Sequence, residues 1–474
     1  MQFENLTRYY IPALQAYGIE VPKDESGCYR LYEEDGCVVP EVRRQIIPLG
    51  EKGLIPQKLM QDAVQQFLDY RQQENDIIAV SSFVALHERA FSAHMDMWKA
   101  MVGAAKAGRT FTDVELTCYE QAISRARKDL RAARDNAQPE IAERAQAVFD
   151  RQLMREHGLL FDREMLADID TLVGNAISAR PTLLVGDKGI AKTQMAKFVM
   201  RLYGTEPVIV SVKGDMMSDE LVGKMVHDAA RNTFVFEEGA LPRAMRAGVP
   251  LLLDEINFGD QAIIARLQDI LLKRPGETVY LQEEGVELVV QPGFTVFATA
   301  NEASKRYRHR EILDPAIRDR FEIIERTYPD LDRDPLQAPS ASLMRIALCE
   351  AVDADGVLSR HINRELLDAL VHLATITQYL YAVPAKDAAI AIDGDSTGSI
   401  PREDADPMLT DCITPRALNR AVQDSAGGNL PGRHLDLYLI EKMLRTLDQA
   451  GSHRNAEIAR QAALLAGIDL YPAG

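Results

Sequence analysis

The chain has 474 residues, 46% of them hydrophobic and 26% charged, and a formal net charge of −17. This length predicts several domains with ample apolar material for buried cores. So acidic a chain is a poor candidate for charge-driven binding of nucleic acid or an anionic membrane, although the composition does not exclude a local basic groove.

Two further features concern the compartment. No apolar run reaches transmembrane length, and the first residues, MQFENLTRYY, lack the basic segment and apolar core of a secretion signal. The five cysteines are scattered, and the closest pair, Cys28 and Cys37, matches no common zinc spacing. We therefore expect a cytoplasmic protein with reduced thiols and no membrane span.

Residues 1–157 are predicted to form an N-terminal extension that is mixed at first and then helical. From about residue 76, apolar residues recur at helical spacing, and charges alternate with i,i+4 pairs. His87 and His94 lie two turns apart in one such helix. We interpret them as ordinary histidines on the surface of the helix, because no third metal ligand is apparent.

Residues 158–334 alternate short apolar runs with helical patterns. The runs TLLVG, PVIVSV, PLLLDE and FTVFATAN are typical of strands covered on both faces of a parallel sheet. Residues 335–474 are again mostly helical, with an acidic loop near 386–412 that is rich in Asp, Gly, Ser and Pro. The predicted fold is an α/β P-loop core with a C-terminal α-helical lid and a mostly helical N-terminal extension.

A near-match to the phosphate-binding pattern G-x-x-x-x-G-K-[ST] follows the strand TLLV and precedes a helical segment. Backbone N–H groups at a helix start and the helix dipole favour phosphate there. Lys192 is expected to reach the β- and γ-phosphates, and the Thr193 hydroxyl to hold Mg²⁺. Ala191 replaces the second glycine, and we expect right-handed helical angles that suit alanine. The predicted nucleotide-binding residues are Gly186, Asp187, Lys188, Gly189, Ile190, Ala191, Lys192 and Thr193.

A second polar cluster ends the apolar run VPLLLDE. We expect this strand to neighbour the phosphate-loop strand, so that Asp254 joins the nucleotide site and holds the hydration shell of Mg²⁺. Glu255 is then placed to polarise a water for in-line attack on the γ-phosphate. A third strand, FTVFATAN, ends in Asn301, whose amide is expected beside that water.

Three arginines follow in the chain. Arg320, at the end of a predicted helix, could project from the subunit edge toward the γ-phosphate of a neighbouring subunit and stabilise transition-state charge. Arg318 is the competing candidate for this role. Arg416 lies in the first turn of a helix that begins at Pro415, and it could return over the nucleotide.

This order of motifs resembles that of the AAA+ ATPases: Walker A (Gly186 to Thr193), Walker B (Asp254 and Glu255), sensor 1 (Asn301), arginine finger (Arg320) and sensor 2 (Arg416). The chain is most similar to the MoxR and dynein/midasin-related branch. There "GIAK" is a frequent form of the phosphate loop, so Ala191 is interpreted as a family variant. The branch also implies two β-hairpin inserts, here at residues 223–239 and 276–293.

The resemblance implies an ATP- and Mg²⁺-dependent motor that assembles into a ring, with a hexamer expected. Such a motor remodels, activates or assembles a protein client, and a partner with a von Willebrand factor A domain is implied by the branch. Three alternatives stay open: a chelatase-type subunit for metal insertion, a nucleic-acid-linked or defence NTPase, and a scaffold that binds ATP with little turnover. The net charge weighs against the nucleic-acid alternative.

Overall fold

The computed structural model describes residues 23, 31–34, 37–40, 57–213, 216, 218–228, 232–259, 267, 270–271, 273–281, 286–301, 315–383, 409, 412–427, 458 and 462–468. The predicted acidic loop near 386–412 lies almost wholly outside these residues. The chain divides into two compact units, Met1–Ser82 and Phe83–Gly474. Within the described ranges, no helix combines the length and apolar character needed to cross a bilayer.

The N-terminal region begins with a hairpin of β1 (Leu31–Glu34) and β2 (Cys37–Pro40). Three helices follow: α1 (Gln57–Lys106), α2 (Asp113–Asp135) and α3 (Pro139–His157). Helix α2 starts at a capping box, in which Thr112 and Glu115 satisfy each other's backbone N–H groups. Helix α3 ends at Gly158, whose φ of +70° allows the left-handed stop.

The α/β core is built on five parallel strands. They are β3 (Thr182–Gly186), β4 (Val208–Ser211), β7 (Leu251–Asp254), β10 (Val296–Asn301) and β11 (Glu322–Arg326), with the order β11-β3-β10-β7-β4 across the sheet. The predicted adjacency of the strand ending at Asp254 to the phosphate-loop strand is therefore wrong. Strand β10 lies between them, which places the end of the Asn301 strand at the centre of the edge.

Both faces of this sheet are covered, as the apolar runs predicted. Along β7, Leu251 and Leu253 pack into one hydrophobic cluster, while Leu252 packs into the cluster on the opposite face. The helices of the core that the described residues define are α4 (Arg163–Ile177), α5 (Lys192–Arg201), α6 (Ser218–Leu221), α7 (Ala240–Ala247) and α8 (Pro315–Arg318). The fold class is thus the predicted P-loop α/β core.

Two antiparallel hairpins leave the core at the two segments identified as inserts. The first joins β5 (Gly223–Asp228) to β6 (Thr233–Glu238), and the second joins β8 (Thr278–Leu281) to β9 (Val286–Val289). Phe234 and Met225 of the first hairpin and Tyr280 of the second are exposed. Each hairpin therefore presents apolar side chains to solvent within the described part of the chain.

Helical residues of the second unit, between Phe83 and His157, pack against one face of the core. Trp98 of α1 is fully buried, packs edge-on against Phe198 of α5 at 5.7 Å between ring centroids, and donates its indole N–H to Asp170 of α4 at 2.7 Å. The predicted surface position is wrong for His94, which is buried: its Nδ1 contacts the Ala90 carbonyl at 2.8 Å and its Nε2 lies 2.9 Å from Arg127. These contacts join the extension and the core in one hydrophobic cluster.

In the described part of the lid, α9 (Ala341–Ala351), α10 (Arg364–Ala382) and α11 (Pro415–Ala426) share a separate hydrophobic cluster. Helix α3 is tied to this lid by ion pairs. Arg345 binds both oxygens of buried Asp150 at 2.8 Å, and Arg364 binds Glu143 at 3.0 Å. Burial alone would lower the pKa of Arg345, but the hydrogen bonds and charge of Asp150 raise it. The last helix of the extension therefore bridges the core and the lid.

Candidate nucleotide-binding site

The predicted phosphate loop lies between β3, which ends at Gly186, and α5, which begins at Lys192. Gly186 has a φ of +148°, and a Cβ atom there would overlap the carbonyl oxygen of Arg326 on β11. Glycine is required because no L side chain tolerates both restrictions. At Gly189 (φ +84°) an added Cβ would lie 3.1 Å from Cβ of Thr414, the residue that caps α11. The loop is thus held between the last core strand and the lid.

The right-handed conformation predicted for Ala191 is wrong. Its φ of 67° and ψ of 19° are left-handed, and it caps α5 without a side-chain hydrogen bond. This conformation costs an L-residue about 1–2 kcal/mol, because Cβ crowds the following carbonyl oxygen. The glycine of the general pattern avoids this crowding. Ala191 is therefore a strained residue directly before Lys192.

A tyrosine beyond β11 supports the same loop. The Tyr328 hydroxyl donates to the Lys188 carbonyl at 3.1 Å, and the side chain is almost wholly buried. Burial raises the pKa of Tyr328, so its hydroxyl stays protonated and keeps donating. This contact was not predicted, since 140 residues separate its two partners.

Lys192 lies at the centre of the site and is buried. Its Nζ donates to the Gly186 carbonyl at 2.8 Å, to the Asp187 carbonyl at 2.6 Å and to Oδ1 of Asn301 at 2.9 Å. The Asn301 amide group in turn donates to Oε1 of Glu255 at 3.0 Å. One asparagine therefore links the lysine of the loop to the carboxylate of the neighbouring strand.

Asp254 ends β7 and meets the loop through hydroxyl groups. Thr193 donates to its Oδ1 at 2.8 Å, and Thr299 of β10 donates to the same oxygen at 2.6 Å. Thr193 and Asp254 are the two predicted Mg²⁺ residues, and the start of α5 brings them together although β3 and β7 are not adjacent. Hydroxyl and carboxylate oxygens are the donor set that Mg²⁺ prefers.

Glu255 follows Asp254 in a left-handed conformation (φ 59°, ψ 46°). Its backbone N–H donates to Oγ1 of Thr299 at 2.9 Å, and its side chain is exposed. Asn257, two residues on, donates to the Asn301 carbonyl at 3.2 Å. Strained backbone of this kind clusters at functional sites, where the surroundings hold it in place.

The three predicted arginines lie in different places. Arg318 is exposed and pairs with Glu325 on β11 at 3.0 Å, whereas Arg320, just before β11, is half-buried. Arg416 occupies the first turn of α11 and lines a cavity beside Gly189. A role for Arg318 or Arg320 at a neighbouring subunit requires a second copy of the chain, so it stays a prediction.

That cavity has a volume of about 210 Å³ and was not predicted. It lies between the loop, the lid and the segment that joins α3 to α4. Its lining includes Gly158, Leu160, Ile190, Pro415 and Arg416. The position beside the phosphate loop suits the base of a nucleotide. The sequence did indicate an apolar segment at this wall of the cavity, because the run GLLF directly precedes Asp162, which caps α4.

Thr299 and Asn257 were also missed. Thr299 stands two residues before Asn301, so the two-residue period of a strand places both on one face of β10. A hydroxyl in an otherwise apolar run was therefore a readable signal. Among the described residues no group of three or more His, Cys, Asp or Glu forms a metal cluster; Mg²⁺ sites built on one carboxylate and phosphates do not need one.

The strand order, the glycine-shaped loop and the convergence of Lys192, Asp254 and Asn301 define a P-loop nucleotide-binding core. Comparison with protein families agrees. Residues 181–321 match the model described as "AAA domain (dynein-related subfamily)". This segment is therefore similar to AAA domains of the dynein-related subfamily, in agreement with the order of motifs.

Individual relatives match about a third of the chain. Midasin of Giardia intestinalis is 29% identical over 169 residues, which is 35% of this chain and 3% of midasin; midasin of Dictyostelium discoideum is 27% identical over 157 residues, 33% and 3%. An uncharacterized protein of Staphylococcus aureus is 30% identical over 153 residues, 32% of this chain and 56% of its own length. The chain thus spans a small fraction of the midasins and about half of the staphylococcal relative.

Two solved structures are similar in part. A candidate ATPase of Cytophaga hutchinsonii shares 17% identity with a TM-score of 0.29 and covers 52% of this chain and 73% of its own; NtrX of Brucella abortus shares 14% with a TM-score of 0.34 and covers 75% and 73%. These superpositions are loose. The fold assignment rests on the sheet order and the family model.

Proposed function

We propose that this chain binds ATP with Mg²⁺ at the site described above and hydrolyses it as a ring-forming motor that acts on a protein client. The observation that supports this most directly is the hydrogen-bonded chain from Lys192 through Asn301 to Glu255, beside the Thr193–Asp254 pair. These groups lie together at the carboxyl ends of parallel strands, where P-loop proteins bind nucleotides.

The loop suits a triphosphate. Gly186 has no side chain to fill the cradle, and the buried Lys192 ammonium now bonds two loop carbonyls that phosphate oxygens can replace. Backbone N–H groups at the start of α5 add further donors. The cavity lined by Leu160, Ile190 and Arg416 offers a place for the base.

Thr193 and Asp254 fit a magnesium ion by their oxygen donors and by their 2.8 Å separation. When bound, Mg²⁺ neutralises charge that develops on the β- and γ-phosphates. Glu255 is exposed beside this pair and acts as the base that orients and deprotonates the attacking water. Asn301, which holds Glu255 through its amide, fixes the direction of that carboxylate.

We further propose that the active unit is a ring, with a hexamer expected from the resemblance. Arg320 then reaches the site of the next subunit, and Arg416 senses the nucleotide from the lid. The lid touches the loop at Gly189 and Thr414, so a change at the nucleotide can move the lid. A cytoplasmic location, a partner with a von Willebrand factor A domain and a client engaged by the two hairpins belong to the same proposal.

The first experiment separates binding from hydrolysis. Lys192→Ala is expected to abolish binding of a fluorescent ATP analogue. Glu255→Gln keeps the shape of the side chain and an oxygen that can accept the Asn301 amide, so the variant should still bind the analogue. Glutamine cannot act as a base, so kcat should fall by about 10²–10⁴-fold. Full turnover by the Glu255→Gln protein would show that Glu255 is not the catalytic base. Tight binding by the Lys192→Ala protein would show that the phosphates bind elsewhere.

The second experiment tests the subunit-bridging arginine. Arg320→Ala protein and Lys192→Ala protein are each expected to be inactive. Mixing them should restore part of the activity, because some interfaces then combine an intact loop with an intact arginine. Arg318→Ala is the matched control and should stay active alone. If only the Arg318 variant shows this rescue, the bridging role passes to Arg318.

The third experiment addresses the client. ATPase activity is measured with DNA, with RNA, with a metal–tetrapyrrole system and with proteins that co-purify with the Glu255→Gln variant in ATP. Stimulation by a co-purifying protein supports remodelling. Stimulation by nucleic acid alone would move the assignment to a nucleic-acid motor, and dependence on the tetrapyrrole to a chelatase-type subunit.

A further inference from the structure

One side chain in the site has no role in the function proposed above, yet it contacts both acidic residues of the Asp254–Glu255 pair. Thr299 is 2% exposed and lies on β10, the strand between β3 and β7. Its Oγ1 donates to Oδ1 of Asp254 at 2.6 Å and accepts the backbone N–H of Glu255 at 2.9 Å. Both partners belong to the neighbouring strand end.

The donated bond orients Asp254. Two hydroxyl groups meet its Oδ1, one from Thr193 and one from Thr299. Thr193 is a proposed Mg²⁺ ligand, so its hydroxyl geometry must adjust when the ion binds. Thr299 is outside that ligand set. Its bond can therefore keep the Asp254 carboxylate in one rotation whichever partner Thr193 takes.

The accepted bond holds the backbone of Glu255. A φ of 59° is unfavourable for glutamate, and such a residue persists only where its surroundings over-determine it. Thr299 supplies an acceptor for the N–H of this strained peptide, while Asn301 donates to its side chain. Among neutral side chains, a hydroxyl can donate to one strand-end group and accept from the next with one atom.

A buried threonine often satisfies its hydroxyl on a nearby backbone carbonyl and has no further role. Thr295, just before the same strand, shows this arrangement: it is 3% exposed and donates to the Arg180 carbonyl at 3.2 Å. Thr299 differs because it bonds the side chain of Asp254 and the peptide of Glu255, both at the proposed reaction site.

We propose that Thr299 is a positioning residue for ATP hydrolysis, which holds the Asp254 carboxylate and the Glu255 backbone in register through its single hydroxyl. The inference rests on the proposed function. Removal of the hydroxyl should therefore impair the chemical step more than nucleotide binding, because the bonds of Lys192 to the Gly186 carbonyl, the Asp187 carbonyl and Asn301 do not use the Thr299 hydroxyl.

The test compares Thr299→Val, which removes the hydroxyl at nearly constant shape, with Thr299→Ser, which keeps it. Thr295→Val is the matched control, as the same change in an equally buried residue outside the site. The readouts are kcat and KM for ATP, the Kd of a fluorescent ATP analogue, and the melting temperature. Thr299→Val should lower kcat about 10–100-fold with the Kd changed less than threefold. Thr299→Ser should keep most of the wild-type kcat, and Thr295→Val should have the kcat of the wild type.

Three results would overturn the inference: a Thr299→Val protein with kcat within twofold of wild type, a Thr299→Ser protein as impaired as Thr299→Val, or an equal loss in Thr295→Val. If Thr299→Val does not fold, the Thr299→Ala and Thr299→Ser pair gives the same comparison. Wild-type protein that binds no nucleotide overturns the proposed function and this inference together, whereas active wild type with an unaffected Thr299→Val overturns only the inference.

Discussion

Because Ala191 has a left-handed conformation, the Ala191→Gly change should not destabilise the protein, whereas it would do so if Ala191 were right-handed. At φ 67° the Ala191→Gly change removes crowding of about 1–2 kcal/mol. It also gives the unfolded chain more freedom, which costs about 0.5–1 kcal/mol. The variant should therefore be as stable as the wild type or more stable, by up to about 1.5 kcal/mol. Right-handed angles would instead make the same change lose about 1 kcal/mol.

The measurement is the free energy of unfolding from urea denaturation followed by circular dichroism. Ala132→Gly is the matched control, because Ala132 is exposed in the right-handed helix α2 and should lose about 1 kcal/mol. Ala191→Val should instead lower the free energy of unfolding, since a β-branched residue is poorly tolerated at positive φ. If Ala191→Gly loses as much stability as Ala132→Gly, the left-handed assignment and the explanation of this loop are refuted.

Three further predictions concern stability. Arg345→Met should lower the free energy of unfolding by about 3–5 kcal/mol at pH 7, because it leaves the buried Asp150 carboxylate without its counter-ion. Burial raises the pKa of Asp150, so the folded variant takes up a proton at a higher pH than the unfolded chain does, and the loss should shrink as the pH falls. A pH-independent loss in urea denaturation would contradict this. Burial, then the charge of Arg345, lowers the pKa of His87 to about 4. Between pH 6.5 and 4 the unfolded chain alone gains this proton, so the wild type loses stability as the pH falls, and His87→Gln should reduce that loss by at most about 3 kcal/mol in denaturation at stepped pH; equal slopes would argue against it. Gly186→Ala should lower stability by more than about 2 kcal/mol through its clash with the Arg326 carbonyl, and an unchanged melting temperature would be inconsistent with the loop geometry.

The strands and the main site residues were predictable because their signals are local. A strand buried on both faces must be apolar throughout, and its end must turn polar where it meets solvent or ligand. Both features are visible at PLLLDE and FTVFATAN. Asp254, Glu255 and Asn301 lie at such ends, Lys192 begins the helix that follows the phosphate loop, and the structure brings the four into a shared hydrogen-bonded network.

The order of strands was not predictable from these local signals. Parallel strands are joined by helices, so successive strands in the chain need not be neighbours in the sheet. Strand β10 enters between β3 and β7, and the direct neighbour of the phosphate-loop strand is therefore the Asn301 strand. The two hydroxyl bonds of Thr299 depend on that insertion, so its position on the strand was readable from the sequence but its two partners were not.

The placement of the N-terminal helices was also not predictable from local signals. Their helical period was visible, but no motif indicated what they pack against. The structure places Trp98 beside Phe198 of the core and Asp150 beside Arg345 of the lid. Each pair joins residues about 100 or more positions apart, so only the folded chain brings them together.

Periodicity, capping residues and motif spacing were thus sufficient to predict many of the helices and buried strands and to select the polar groups of the candidate site, because each of these signals depends on residues within a few positions of one another. The folded chain decided the sheet order, the left-handed angles of Ala191 and Glu255, the cavity beside the loop and the bridge between α3 and the lid. These features depend on which distant segments compete for the same space, and the short-range preferences of individual residues do not contain that information.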